Sequence, residues 1–485
     1  MQNSVRFILD NRIVEVDFSE FSGLKPTTTV LNYLRSLPGH KGVKEGCAEG
    51  DCGACTVVIA ESGADGKLKY RSVDSCLVFL PMIHGKQIIT VENLAVSDKQ
   101  RKKLHPVQQQ MVETNGSQCG YCTPGIVMSL FGIFKNHLKP SREVIQDALV
   151  GNLCRCTGYQ PILEAAQKAC TNDQTDQFSE NEKVILSMLQ EITSEKRTIE
   201  ILTSTQRYFK PFMLTEAFRI RKENPEATII NGSTDMALRQ TKKHELLSAI
   251  IDLSSVDELA FLREEPGCFV CGAGVTMEQL KQATADKLPA FHKILSVFGS
   301  LQIRNLATLG GNVCSASPIG DLLPSLIAYG AEVKLCSEKS ERIIELEKFI
   351  TGYRKTDIRK DELLTEISIP KYKRDTKVIS YKVSRRKDLD ISTVSAAFRL
   401  KVDNGNVAEI VIVYGGMAAM VKRALETEKF LKGKLWSREN IQMAMKILTN
   451  EFKPISDARS EAVFRTKVAE NLLLKFYLET MNEVV

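Results

Sequence analysis

The stretch EGCAEGDCGACT, residues 45–56, sets Cys47, Cys52 and Cys55 in the spacing C-x4-C-x2-C, and Cys76 follows after a further twenty residues. Gly46, Gly50 and Gly53 stand between them. Glycine permits backbone angles closed to other residues, so a loop of this composition wraps closely and turns its amides toward the sulfurs. Thiolates gathered in this way hold a metal or staple the fold.

The spacing is that of a plant-type [2Fe–2S] site. Structural zinc more often uses paired C-x2-C knuckles or mixed Cys/His sets, and no histidine lies close by. An iron–sulfur cluster is the leading reading, with zinc and unligated thiols as the alternatives. The flanks predict a small α+β domain over residues 1–95. MQNSVRFILDNRIVEVDF alternates apolar and polar residues like a hairpin with its turn at Asp10-Asn11. Thr27-Thr28-Thr29 precedes VLNYLRSL, where Val30, Leu31, Leu34 and Leu37 share one helical face. TVVIA (56–60) and KLKYRSV (67–73) read as two further strands.

QCGYCTPG (118–125) and GNLCRCTGYQP (151–161) carry a second set, Cys119, Cys122, Cys154 and Cys156. HPVQQQMVETNG, PGIVMSLFGIFKNHL, SREVIQDALVGNL and PILEAAQKA read as helices, with Pro124 and Pro161 at first-turn positions where a missing N–H costs nothing. Residues 96–172 are therefore expected to form a four-helix domain with both cysteine pairs at helix ends. Positive helix N-termini there favour a negatively charged cluster. C-x2-C with C-x-C suits zinc as well as iron–sulfur, and on the residues alone both stay open.

The whole chain bounds these readings. At 485 residues it is too long for one core and suggests three or four domains. A net charge of +6 with no long basic run points away from nucleic-acid and membrane roles. The alternating N-terminus is not a secretory signal, and no stretch approaches the roughly 18–20 apolar residues that span a bilayer. The expected compartment is the cytosol, where thirteen cysteines stay reduced and clustered ones bind metal.

Residues 173–205, entered through TNDQTDQFSENEK, are polar and charged and read as a linker. Beyond it, Ile229-Ile230 is a short apolar strand feeding Asn231-Gly232-Ser233-Thr234-Asp235, a loop whose amides suit a phosphate. Gly310-Gly311-Asn312 offers a second such nest; an ordinary turn is the alternative for each. CGAGVTM (271–277) has Met277 where a third glycine should stand, so the Rossmann fingerprint fails, and no G-x-x-x-x-G-K-[ST] occurs. Cys268 and Cys271 read as packing residues of a strand, and Cys170, Cys314 and Cys336 as buried hydrophobes.

Together these motifs resemble one family. The two cysteine motifs are similar to the iron–sulfur part of the molybdenum hydroxylases, the xanthine dehydrogenase and aldehyde oxidase family. IINGSTDM, LATLGGNVCSASPIGD and FITGYRKTDIRKDELLTEISIP resemble that family's FAD domain. The resemblance spans nearly the whole chain. It implies a multidomain α+β protein: a ferredoxin-like β-grasp domain, a four-helix domain, a PCMH-type FAD-binding domain (206–375) sharing its fold with vanillyl-alcohol oxidase-type flavoproteins, and an α/β C-terminal flavin subdomain (376–485). It further implies a [2Fe–2S] cluster on each cysteine set and Gln118 beside the molybdopterin of a partner polypeptide. Ile229, Ile230, Asn231, Gly232, Ser233, Thr234, Asp235 and Met236 would line the FAD pyrophosphate, as would Thr308, Leu309, Gly310, Gly311 and Asn312, with Ser315 in the same cofactor-binding set. Phe298 would pack at the flavin ring, Asp321 would meet ribityl or ribose hydroxyls, and Leu364 and Lys382 would complete the pocket. Tyr353 would lie where NAD approaches. In SRRKDLDIS (384–392), Lys387 adds a charge that would attract NAD phosphates, unless the loop is simply a solvated one.

In that family the substrate chemistry occurs at molybdenum, in a domain that follows the flavin domain, whereas this sequence ends at Val485. The resemblance is therefore to the small subunit of the two-chain members. No hydroxylation residue is expected here. Electrons would pass from molybdenum on a large partner chain through two clusters to FAD and NAD, during oxidation of hypoxanthine or xanthine to urate, in a heterotetramer of two small and two large chains. An aldehyde or another N-heterocycle is the alternative substrate, and a zinc-stapled protein-binding adaptor the alternative class.

Overall fold

Apolar residues fill both faces of the strands Ser4–Leu9 and Thr56–Ser62, and this decides how the first part of the chain is layered. The computed structural model describes residues 3–19, 22–98, 101–171 and 175–481. It divides into two units, residues 1–256 with 300–307, and 257–299 with 308–485. In the first unit a five-stranded sheet runs in the order Arg12–Asp17, Ser4–Leu9, Gln87–Ile89, Thr56–Ser62, Leu68–Asp74. Ser4–Leu9 and Gln87–Ile89 are parallel and the other neighbours antiparallel. The first hairpin turns at Asp10 and Asn11, whose φ values of 53° and 57° match the expected two-residue turn. The helix Val30–Ser36, capped by the Thr29 hydroxyl, completes the β-grasp arrangement.

Strand side chains alternate between faces, so Val5, Phe7, Leu9, Val57 and Ile59 enter one core and Ile8, Val58, Ala60 and Ile89 another. The first core holds the Val30–Ser36 helix together with Cys55 and Cys76. The second is shared with the helices Pro106–Glu113, Thr123–Asn136, Arg142–Leu149 and Gln160–Ala169, the four that the sequence predicts. Phe131 is fully buried there, with Tyr70 and His105 edge-on to it. A sheet covered on both sides reads in sequence as a continuous apolar run, which is what TVVIA is.

Residues 175–205 correct the linker reading. Glu182–Thr193 is a helix that delivers Ile185, Leu189 and Ile192 to the second core, beside Phe178. Their spacing of four and three is a helical stripe, masked in the sequence by charged neighbours. The expected boundary at 172–173 lies outside the described residues. Ile199–Leu202 then opens a four-stranded sheet ordered Thr228–Ile230, Ala249–Asp252, Arg207–Lys210, Ile199–Leu202.

The second unit holds an antiparallel five-stranded sheet: Leu262–Glu265, Cys268–Gly272, Leu363–Pro370, Glu332–Cys336, Glu341–Glu345. It also holds a meander of Thr376–Val383, Val394–Asp403, Asn406–Gly415 and Lys422–Arg423. The helices Leu425–Leu431, Arg438–Glu451 and Ala462–Thr480 pack with the meander around Phe398, Tyr414, Trp436 and Phe476. Cys170 and Cys271 are buried and Cys268 and Cys336 half-buried, but Cys314 is exposed on the short helix Leu309–Ser315, against expectation. Among the described residues no helix is long and apolar enough to cross a membrane.

Leu189, 2% exposed, makes the helix at 182–193 testable. Leu189→Ala is expected to destabilise the protein by about 2–5 kcal/mol, seen as a lower denaturation midpoint; a linker residue would leave the midpoint unmoved.

Candidate functional site

The first cysteine loop is shaped by its backbone. Ala48, Gly50 and Gly53 take positive φ values of 55°, 80° and 66°, curling the chain around its own sulfurs. Cys47 Sγ accepts the N–H groups of Glu49 and Asp51 at 3.4 and 3.3 Å. The Cys52 thiol donates to Cys47, and with those amides it brings the Cys47 pKa down to about 5. Cys52, the donor of that bond, is held well above the usual thiol range. Cys55 donates likewise to Cys76, which together with burial pushes the Cys55 thiol up.

The second set pairs in the same fashion. Burial and then a bond to Cys154 push the Cys122 thiol up to about 12, and Cys156 is raised by donating to Cys119. Each set therefore comes as two thiol pairs, Cys47/Cys52 with Cys55/Cys76 and Cys119/Cys156 with Cys122/Cys154. Among the described residues no three Cys, His, Asp or Glu side chains group to hold a single metal ion. Four sulfurs grouped in this way suit a two-iron cluster, in which each iron takes two protein thiolates. Cys122 is the N-cap of Thr123–Asn136, with Pro124 in the first turn as predicted.

The two sets differ in depth and touch one another. Cys55 and Cys76 are buried, whereas Cys119, Cys156 and Gln118 are exposed. The N–H of Leu153, next to Cys154, donates to the carbonyl of Cys52 at 3.0 Å, and the Tyr121 hydroxyl donates to the carbonyl of Glu45 at 2.5 Å. A Cβ at Gly53 would lie 2.3 Å from the Gly151 carbonyl oxygen, and one at Gly125 would lie 2.1 Å from that of Gly53. Only glycine allows this approach.

A third segment reaches the inner set. Thr228–Ile230 runs into Asn231-Gly232-Ser233-Thr234, with Ser233 at φ 58°. Among the described residues the N–H groups of Gly232, Ser233 and Thr234 donate to no other group, which leaves them for a phosphate. A Cβ at Gly232 would sit 1.7 Å from the Leu306 carbonyl oxygen. The Ser233 hydroxyl donates to the carbonyl of Leu77, the neighbour of Cys76, and Lys242 donates to the carbonyl of Cys47 at 3.1 Å. No sequence signal marks Lys242. Ile230 is buried, and Ile229, Asp235 and Met236 are half-buried along the same segment.

The expected second nest is not one of free amides. The N–H groups of Leu309 and Gly310 donate to the carbonyls of Val275 and Ala273 at 3.0 and 2.9 Å, and those of Gly311 and Asn312 to the hydroxyl and carbonyl of Thr308 at 3.3 and 3.0 Å. Gly310 serves close packing instead, since a Cβ there would meet that of Ala273 at 2.7 Å. The buried side-chain oxygen of Asn312 has no donor among the described residues and suits a ligand hydroxyl or ring N–H. Lys382 spends its three ammonium protons on the Asp321 carboxylate and the carbonyls of Val297 and Asp388, at 2.8, 2.8 and 3.2 Å. Asp321 also accepts from the Ser392 hydroxyl at 2.5 Å, so Lys382 positions the Asp321 carboxylate and the 384–392 loop. Leu364 is buried on its strand, Phe298 and Ser315 are half-buried, and Tyr353 is 62% exposed. Within the loop Arg386 pairs with Asp390 at 2.5 Å, while Lys387 is exposed.

Comparison with known proteins agrees with these groupings. Residues 90–167 match the [2Fe-2S] binding domain family, 202–372 the FAD binding domain in molybdopterin dehydrogenase, and 379–480 the CO dehydrogenase flavoprotein C-terminal domain. The xanthine dehydrogenase/oxidase of Gallus gallus is 31% identical over 553 residues, covering 99% of this chain and 40% of that protein. The chain thus spans about two fifths of the length of the curated relatives it matches. A CO dehydrogenase structure from Oligotropha carboxidovorans shares 26% identity with a TM-score of 0.53, over 57% of this chain and 97% of that one. Quinoline 2-oxidoreductase from Pseudomonas putida 86 shares the fold, at 24% identity and a TM-score of 0.53 over 58% and 98% of the two chains.

Two outcomes test this geometry. The purified chain is expected to hold about four irons, two per cysteine set, and metal analysis finding stoichiometric zinc without iron would contradict the pairwise fit. Gly232→Ala drives a methyl group into the Leu306 carbonyl, and should strip FAD from the protein while iron content stays at the parent value.

Proposed function

As a member of the molybdenum hydroxylase family that carries its iron–sulfur and FAD-binding parts, this chain is, we propose, the electron-transfer part of a xanthine dehydrogenase, joining a molybdenum cofactor on a partner chain to NAD through two [2Fe–2S] clusters and FAD. Bound there, the clusters carry single electrons and the flavin couples them to two-electron chemistry.

One observation carries the reading: three cofactor segments are joined by two bonds, Leu153 N–H to the Cys52 carbonyl and Ser233 hydroxyl to the Leu77 carbonyl. Cys119 and Cys156, exposed beside Gln118, form the end that a partner covers, with Gln118 next to its molybdopterin. The inner set, with Cys55 and Cys76 buried and Cys47 and Cys52 half-buried, is bonded to both that end and the flavin segment. The chain's residues hold, orient and insulate. The Glu49 and Asp51 amides stabilise sulfur charge, and the glycine contacts keep water out of the junction. In the first unit the free amides of residues 232–234 suit the pyrophosphate; in the second, Asn312 and the Asp321 carboxylate suit hydroxyls and Leu364 an apolar part of the cofactor. Phe298 lies against the flavin ring, Tyr353 on the NAD side, and Lys387 draws NAD phosphates by its charge.

The xanthine reading is supported by the names of the relatives that match almost the whole chain. Another N-heterocycle is the second reading, supported by the shared fold with quinoline 2-oxidoreductase. The working assembly is a dimer of small-and-large chain pairs in the cytosol, where cysteines outside disulfides are stable.

Cys154→Ala tests the order of the stations. Iron should fall from about four to about two per chain, FAD should be retained, and NADH oxidation by an artificial dye should continue at the parent rate. Purine-to-NAD turnover by the variant with its partner should collapse. Parent-rate turnover in an FAD-containing variant would place the second cysteine set off the path.

A further inference from the structure

Segment 300–307 is chain-continuous with Thr308, yet it is fastened at several points to the iron–sulfur part of the first unit. Arg304, fully buried, bonds the Asp147 carboxylate at 2.7 Å. Asn305 donates to the Ser72 carbonyl at 2.9 Å. Gln302, 0% exposed, donates from Nε2 to Asn152 Oδ1 at 3.0 Å, to the Ser129 hydroxyl at 2.9 Å and to the Ala148 carbonyl at 3.2 Å. Asn152, 2% exposed, in turn donates from Nδ2 to the Gly53 carbonyl at 3.1 Å and the Thr56 hydroxyl at 3.2 Å, and its Oδ1 also accepts from Ser129 at 2.6 Å.

These bonds meet where the two cysteine loops touch. Asn152 lies two residues before Cys154, and Gly53 directly follows Cys52. The Leu153 N–H to Cys52 carbonyl bond sits between them. A Cβ at Gly151 would lie 2.4 Å from Gln302 Oε1, so the Gln302 side chain packs directly against the Gly151 backbone. The Asn152 amide, with both hydrogens and its oxygen engaged, holds one orientation, because every alternative leaves polar atoms unpaired in a dry site, while Gln302 is held by its Nε2 bonds alone, its buried Oε1 having no donor among the described residues.

We propose that Gln302 and Asn152 are positioning residues that set the separation of the two cysteine sets, and thereby the electronic coupling between the clusters they hold. The inference rests on the two-cluster reading above. Gln302 clamps the Asn152 carboxamide, and Asn152 clamps the Cys52–Thr56 loop to the 151–156 loop. Neither side chain is a cluster ligand, so their loss leaves both thiolate sets intact. Without the clamp the Cys52 carbonyl and the Leu153 N–H are free to part.

The test uses the full chain with Gln302→Met, which keeps side-chain length and removes the donor, and Asn152→Leu beside it. The parent is measured first. About four irons and two paramagnetic signals on reduction establish the two-cluster reading, and their absence would overturn that reading independently of the clamp. In Gln302→Met, iron content and the separate signals should stay at parent values, while the mutual broadening of the two reduced clusters declines. Transfer between them should slow by about 10–100-fold, the range that outer-shell partners of a metal site command. Should Asn152→Leu fail to fold, Gln302→Met alone decides. Parent broadening and parent transfer rate at full iron content would overturn the proposal. So would loss of about two irons in Gln302→Met, because the pair would then be holding a cluster in place and not setting a distance.

Discussion

The structure depends on a backbone contact that side chains would forbid. Gly53 meets the Gly151 carbonyl, Gly125 meets that of Gly53, and between them the Leu153 N–H reaches the Cys52 carbonyl. Electron transfer falls steeply with distance, so two cysteine loops that exchange electrons, as proposed above, must approach more closely than ordinary side-chain packing permits. Glycine at three facing positions is the means. Buried amide hydrogen bonds from Asn152 and Gln302 fasten the junction.

That requirement explains the layering around it. The β-grasp sheet places the inner cysteines against one core and offers its other face to the four helices, so the helical domain is anchored over a broad apolar surface and not through the cysteine loops. Buried charges are used in the same way. Lys210 and Asp252, both fully buried and 2.6 Å apart, fix the strand beside Thr228–Ile230, and the Tyr208 hydroxyl completes the pair. Deleting one partner of such a pair leaves an uncompensated charge and costs about 3–5 kcal/mol. The Thr228–Ile230 strand is thereby held in place within its sheet.

Most of the first 170 residues was legible in the sequence, because metal ligation imposes fixed spacings and the hairpin, caps and helices obey local rules. Asp10-Asn11, Thr29 and Pro124 all serve as read. What failed did so where local composition and tertiary role diverge. Ile185, Leu189 and Ile192 form a core stripe inside a charged stretch, so polarity pointed to a linker. Gly310-Gly311-Asn312 looks like an amide nest, but its N–H groups serve the chain itself, and this depends on where Ala273 and Val275 come to lie. Cys314 is exposed although Leu309, Gly310 and Val313 of the same short helix are buried. Gln302 and Asn152 lie 150 residues apart and are linked only in the fold.

The central claim is that the flavin segment and both cysteine sets form one internal path for electrons. Flash reduction of the flavin in the purified chain, followed at wavelengths that separate flavin from iron–sulfur absorbance, tests it most directly. The account predicts that flavin absorbance recovers as the iron–sulfur bands bleach, with a rate constant that does not change on tenfold dilution of the protein. A decay that slows in proportion to dilution would mean that electrons leave the flavin by collision between molecules, and would contradict the account.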